Sequence, residues 1–398
     1  MKILVINAGS SSIKYQLIDM EKENAIAKGV CDRIGISGSK LTHKAAGREI
    51  EIQSPMPTHV EAIKMVLDAL VHPDHGVIAS MQDIAAVGHR VVHSAEDFTS
   101  SQLIDDKVMD IIRANTDLAP LHQPANIMGI EACRKNMPTA PMAAIFDTTF
   151  HSAMPDYAYM YGLPYDDYKK YRVRKYGFHG TSHMFIAGEA EKILGRKNYK
   201  LVICHLGNGA SISAVDSGRS IDTSMGMTPL EGLIMGTRCG DLDPAVHEYL
   251  CEKRGMGIKE FTSYLNKKSG VAGISGVSSD FRDLTAAFEA GNERARLAME
   301  MFSYRVLKYV GAYAAALGGC DMIAFTGGVG EHTPFVRRFV MDRLGFMGLK
   351  YDAAVNENPG RGKIARLSTD DSGLLAYIIP TNEELVIARE TLRLIEGR

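Results

Sequence analysis

Ile3-Leu4-Val5-Ile6-Asn7-Ala8-Gly9-Ser10-Ser11-Ser12-Ile13-Lys14 reads as a strand, a polar turn and the start of a second strand. The apolar run Ile3–Ile6 suits a buried strand, and the following glycine and serines suit a tight hairpin tip. Small residues let backbone N–H groups approach an anion, the serines add hydroxyl donors, and Lys14 adds a positive charge. The same residues would also make an ordinary serine-rich turn. A second hairpin of this kind lies half a chain away: Leu201–Cys204 as strand, His205-Leu206-Gly207-Asn208-Gly209-Ala210 as tip, Ser211–Val215 as return strand, with Ser211-Ile212 matching Ser12-Ile13. Two similar halves is the economical reading.

Helical periodicity follows each hairpin, at Thr58–Val71, Asp105–Asn115 and Pro124–Lys135, then at Thr181–Leu194, Asp243–Lys253, Ile258–Lys267 and Glu293–Leu317. Ala143–Phe146 and Met322–Phe325 read as further buried strands. Strands alternating with helices predict an α/β pair of domains, one over residues 1–150 with the returning terminal helix 383–398, the other over 151–382. With 398 residues, two domains are also the expectation from length.

Bulk properties exclude several classes. A formal net charge of -2 gives no basic face for nucleic acid or an anionic membrane. The six cysteines form no C-x-x-C pair, which argues against a zinc ribbon and fits a reducing, cytoplasmic setting. The apolar start is too short for a signal peptide. The long apolar stretch from Tyr309 to Phe325 is interrupted by glycines and Asp321, so no membrane span is expected.

A third glycine-rich segment, Thr326-Gly327-Gly328-Val329-Gly330-Glu331, follows a strand and precedes a helix expected near Thr333-Pro334. Strand, glycine loop and helix start are a natural place for phosphate or nucleotide. Arg90 in Gly-His-Arg-Val-Val-His and Arg238 in Gly-Thr-Arg-Cys-Gly-Asp read as loop residues, whose planar forks suit a carboxylate or a phosphoryl group; a structural ion pair is the alternative for each. Asp147 closes a strand, either as a site residue or as a turn cap. His179 and His183 are four apart, but Gly180 stands where a zinc protease has glutamate; a phosphoryl-contacting His179 and a packed helical His183 fit better. Thr381 reads as the N-cap of the last helix with Glu384 as its capping-box partner, leaving Glu383 available to hold magnesium through water.

Taken in order, I-L-V-I-N-A-G-S-S-S-I-K, G-H-R-V-V-H, F-D-T-T-F-H, F-H-G-T-S-H, H-L-G-N-G, G-T-R-C-G-D-L-D-P, D-F-R, T-G-G-V-G-E and T-N-E-E-L resemble the acetate kinase family from residue 3 to residue 385. The resemblance implies an α/β fold of two duplicated actin-like, sugar-kinase-type (ribonuclease-H-like) domains with an interdomain active-site cleft, the second domain binding nucleotide. It implies a homodimer, Mg²⁺ (with Mn²⁺ as a substitute), and reversible in-line transfer between ATP and acetate giving ADP and acetyl phosphate. By the same resemblance, Asn7 and Glu383 match the magnesium-site residues. Lys14, His205, Leu206, Gly207, Asn208, Gly209, Asp280, Phe281, Arg282, Gly328, Val329, Gly330, Glu331 and His332 match the ATP contacts. Arg90 matches the substrate-binding arginine, with Val92, Leu121, Phe178 and Pro229 as the apolar pocket for the acetate methyl. Asp147 matches the proton donor or acceptor, and His179 and Arg238 the transition-state stabilisers. One departure is Ser94-Ala95-Glu96, where the family commonly has Gly-Gly-Glu.

The chemistry agrees. A carboxylate acceptor is already ionised at pH 7, so it needs charge neutralisation rather than a strong base. Asp147 on this view orients the site. The rival expectations are a propionate or butyrate kinase of the same family, or, from another class, an actin- or chaperone-like ATPase switch.

Overall fold

A computed structural model describes every residue except Leu121 and Arg398. The chain divides into two compact units, Met1–Phe150 with Asn382–Arg398, and His151–Thr381.

The first unit is built on an eight-stranded sheet. Its strands are β1 (Lys2–Ala8), β2 (Ser12–Asp19), β3 (Asn24–Asp32), β4 (Lys40–Ala45), β5 (Arg48–Gln53), β6 (Ile84–Val91), β7 (Gln102–Leu103) and β8 (Met142–Phe146), in the order β5-β4-β3-β2-β1-β6-β8-β7. β1, β6 and β8 run parallel, while β1 to β3 form an antiparallel meander. Leu4 and Ile6 of β1 are buried in one core with Ile63, Val66 and Leu67 of the helix His59–Leu70. The helix Glu383–Ile395 packs on β1, β6 and β8. It can approach because β6 carries Gly88: a Cβ there would lie 2.4 Å from Thr391 Oγ1 and 2.7 Å from Ile387 Cγ2.

The second unit has six strands: β9 (Lys200–Leu206), β10 (Ala210–Asp216), β11 (Arg219–Thr223), β12 (Met322–Thr326), β13 (Ala365–Arg366) and β14 (Leu375–Ile378), ordered β11-β10-β9-β12-β14-β13. Once β4 and β5 are set aside, the two sheets have one topology. Each is a three-stranded meander followed by two parallel strands, and each carries a two-residue antiparallel strand beyond the last. Ser12-Ile13 opens the second strand of its meander, and Ser211-Ile212 follows the first residue of the second strand of the other. The fold is thus α/β, with two copies of one actin-like, ribonuclease-H-like sheet. No helix among the described residues is long and apolar enough to cross a membrane.

Three local readings are corrected. Arg90 is not in a loop; it lies in β6, where the apolar neighbours Val87 and Val91 pair with the parallel strand β8. Thr326–Glu331 is not an open glycine loop, since Gly327–His332 forms a short helix ahead of Pro334–Met341. The last helix is capped by Asn382, whose side chain accepts from Leu385 N, and not by Thr381. Thr381 Oγ1 instead accepts from Ser182 Oγ at 2.9 Å.

Candidate functional site

In the first unit, parallel pairing aligns the ends of β1, β6 and β8, so that Asn7, Arg90 and Asp147 emerge side by side. Arg90 donates to both Asp147 carboxylate oxygens, Nε to Oδ1 at 3.1 Å and Nη2 to Oδ2 at 2.5 Å, and Nη1 reaches Asn7 Oδ1 at 3.4 Å. Asp147 is 1 % exposed and the Arg90 side chain 24 %. Burial pushes the Asp147 carboxyl up to about 6, opposed by Arg90 and reinforced by Glu383. The coupling to Glu383 places the start of the terminal helix within electrostatic reach of the pair. Lys14 faces Asn7 across β1 and β2, and together with Glu384 they line a small cavity of about 250 Å³. Val92 follows β6, buried, its N–H held by Asn126 Oδ1 at 3.1 Å, while Asn126 also donates to Ala8 O at 3.0 Å. That amide ties the Arg90 segment to the β1 tip. Leu121 lies outside the described residues.

The second unit assembles different chemistry on the equivalent strand ends. The β9–β10 tip closes through Gly207 N–H to Gly209 O at 3.1 Å. The loop carrying Arg238 packs on this tip, with Gly236 N–H donating to Asn208 O at 2.9 Å. Position 236 has no room for a side chain: a Cβ would lie 1.6 Å from Asn208 Oδ1. Arg238 Nη1 donates to Pro229 O at 3.2 Å, and among the described residues no carboxylate pairs with it. Its desolvation lowers its affinity for a proton. His179 sits in the left-handed region (φ 57°) as the residue preceding the helix Gly180–Leu194. A Cβ built on Gly209 would be 3.5 Å from both Arg238 Nη1 and His179 Nε2, so the two groups converge over the glycine tip. A non-glycine residue held at positive φ is uncommon and concentrates at functional sites. His205, at the end of β9, bonds Ser182 Oγ through Nδ1 at 2.7 Å, with its ring centroid 4.3 Å from that of His179. Buried Phe178 accepts from His151 Nε2 at 3.0 Å.

Beside this tip lies a cavity of about 790 Å³. It brings together Gly207, Asn208, Asp280, Phe281, Arg282, Gly328, Val329 and His332. Leu206, Gly209, Gly330 and Glu331 do not line it; Leu206 is buried beneath the tip, and Gly330 O is bound by Arg337 Nη1 at 2.8 Å. Asp280 caps the helix Phe281–Glu289 and holds Arg282 at 2.5 Å. The sequence reading missed the cavity residues Thr285, Ala286 and Glu289. They continue the Phe281 face at helical spacing, a signal that could have found them. Arg361, also in the lining, is marked only by its flanking glycines.

Two ribonuclease-H-like sheets, one ending in an arginine–carboxylate pair and the other in a glycine tip that Arg238 overlies beside a glycine-lined cavity, define an α/β kinase of the actin-like class. Comparison with known proteins specifies it. The sequence model of the acetokinase family matches residues 2–389. An acetate kinase of Agathobacter rectalis is 56% identical over 398 residues, covering 99% of this chain and 100% of its own. The crystal structure of Porphyromonas gingivalis acetate kinase superposes with a TM-score of 0.96 at 44% identity, covering 99% of each chain. That of a Francisella tularensis propionate kinase does so at 0.91 and 39%, covering 98% of each. The chain belongs to the acetokinase family.

Proposed function

We infer that the chain is an ATP:acetate phosphotransferase, interconverting ATP and acetate with ADP and acetyl phosphate by direct in-line transfer. Beyond family membership, the observation that carries this reading is the convergence of Arg238 and His179 over Gly209, where no carboxylate among the described residues neutralises the arginine. A guanidinium desolvated and left without a counter-ion is suited to charge that arrives with a substrate. The neighbouring cavity, with Asn208, Asp280, Phe281, Arg282, Gly328, Val329 and His332, is read as the nucleotide site.

Arg90 is read as the acetate-binding arginine, with Val92 meeting the methyl group. Acetate arrives ionised, since model carboxyl pKa values are about 4. Asp147 therefore has no acetate proton to remove. Its two hydrogen bonds fix the plane of the Arg90 guanidinium, and this reading assigns it positioning rather than base catalysis. His179 and Arg238 donate hydrogen bonds to the transferring phosphoryl oxygens.

The donor set suits Mg²⁺ as the metal. Asn7 Oδ1 and the Glu383 carboxylate are hard oxygen ligands, and magnesium is commonly held by one or two protein oxygens with water and phosphates completing the shell. Among the described residues, no group of three or more metal-binding side chains forms a protein cage. When bound, the ion would neutralise charge on the phosphates. We further propose a homodimer in the cytoplasm; the cysteines, all free thiols, suit a reducing compartment.

Turnover of ATP with and without acetate, in the presence of hydroxylamine, tests the activity. The expected result is ADP release that depends on acetate and is matched by acetohydroxamate. Equal ATP hydrolysis without acetate, and no hydroxamate, would instead identify an ATPase switch. Sedimentation of the purified chain tests the dimer.

A further inference from the structure

His179, Ser211 and His183 form a hydrogen-bonded line. Ser211 Oγ, at the start of β10, lies 3.0 Å from His179 Nδ1 and 2.8 Å from His183 Nε2. Ser211 and His183 are both 0% exposed. Burial, with the neighbouring His151, His205 and His179, holds His183 well below the ordinary imidazole range, so it is neutral at pH 7. Its other nitrogen, Nδ1, is buried with no hydrogen-bond partner among the described residues.

That unpaired nitrogen sets the direction of the whole line. A neutral imidazole carries one N–H. Were it on Nδ1 of His183, a buried donor would have no acceptor, which is the costlier and rarer defect. The proton therefore sits on Nε2, which donates to Ser211 Oγ. The buried serine hydroxyl has one hydrogen to place, and with His183 Nε2 already a donor to it, His179 Nδ1 is its acceptor among the described residues, so the hydroxyl donates to His179 Nδ1. With Nδ1 an acceptor, the proton of neutral His179 sits on Nε2, the nitrogen 3.5 Å from the Gly209 Cβ position and on the same side as Arg238 Nη1.

We propose that Ser211 is a positioning residue for phosphoryl transfer: with His183 it fixes His179 as the Nε2–H tautomer, so that a neutral imidazole presents a donor beside Arg238. The proposal rests on the reading of His179 as a group that faces the transferring phosphoryl. It gives His183 a task beyond packing. It also accounts for a hydroxyl between two imidazoles, where a chain of hydrogen bonds orients each member by the next.

The test uses the full-length protein with ¹⁵N-labelled histidine, the His179 resonances being those lost in His179→Gln. In the wild type, His179 is expected to show a protonated Nε2 and an unprotonated Nδ1. In Ser211→Ala a tautomer mixture is expected, with kcat lower by about tenfold and KM for acetate and ATP within about twofold, as befits one lost orienting hydrogen bond. Ser211→Thr, which keeps the hydroxyl, is expected to restore both. A wild-type His179 protonated on Nδ1, or a Ser211→Ala spectrum unchanged from wild type, overturns the proposal; the wild-type spectrum decides even if the alanine variant folds poorly. If His179→Gln keeps the wild-type kcat, the functional reading of His179 fails instead, while the spectra still judge the relay.

Discussion

Arg90 and Arg238 occupy the two copies of one fold under opposite conditions. Arg90 is locked by two hydrogen bonds to a buried aspartate; Arg238 is desolvated, with a backbone carbonyl and a methionine sulfur as its partners among the described residues. The strand ends differ in the same way. After β6 the first unit bends at buried Val92 into an irregular segment, whereas after β12 the second turns at once into the glycine helix Gly327–His332. Duplication supplied two equivalent platforms. On the proposed reading, the first receives a small carboxylate at an arginine the protein already pairs, and the second receives a polyphosphate in a cavity beside the glycine tip over which Arg238 lies. A charge already matched by the protein binds and orients, while one left unmatched can respond to charge that develops during reaction.

The largest expected effect is on turnover. Arg238→Ala should lower kcat by about 10³-fold, the scale associated with a transition-state arginine in phosphoryl transfer. Single-turnover formation of acetohydroxamate measures it, and a loss confined to KM would erase the distinction between the arginines. Stability should split the other way. Arg90→Ala strands a buried carboxylate and should cost about 3 kcal/mol, whereas Arg238→Ala removes a desolvated charge and should cost little or nothing. Urea denaturation of the two variants checks this ordering.

Next in size is a pH effect. The Asp147 carboxyl is raised from its ordinary 3.8 to about 6, mainly by burial. Between those values the folded protein holds a proton that the unfolded chain has released, so this group weakens the fold as pH rises through the window. Relative to wild type, Asp147→Asn should gain stability from pH 4 to pH 7 by up to a few kcal/mol. Melting curves across that range are the measurement; a difference independent of pH would mean that Asp147 is not buried as described. The smallest effect concerns size discrimination. Val92→Ala should improve kcat/KM for propionate relative to acetate by about tenfold, the scale of one methylene in an apolar pocket. A panel of short-chain acids reads this, and an unchanged ratio would remove Val92 from the pocket.

Much of this division could be read from the chain. The two hairpins were legible because an apolar strand running into a glycine- and serine-rich tip is a local signal. β3 to β5 were not, because their alternating charges, as in Arg48-Glu49-Ile50-Glu51, mark a strand with little buried surface. Arg90 looked like a loop residue because glycine, histidine and arginine are poor strand markers. Its strand is imposed by pairing with β1 and β8, which are distant in sequence. The cap of the last helix went to Asn382 rather than its neighbour, a shift of one residue that sequence alone seldom resolves. The site residues were legible as motifs, but their partners were not. That Asp147 grips Arg90, that Asn208 fills the space above Gly236, and that Ser211 joins two histidines are all contacts between strands or loops far apart in the chain.

The division of labour itself is tested most directly by titrating Mg·ADP into Arg90→Ala by calorimetry, alongside the variant's KM for acetate. The account predicts nucleotide affinity within about threefold of wild type, while KM for acetate rises by at least about 50-fold, the loss of one charge-assisted pair. A comparable loss of Mg·ADP affinity would contradict it, because the acceptor and nucleotide functions would then not be separated between the two sheets.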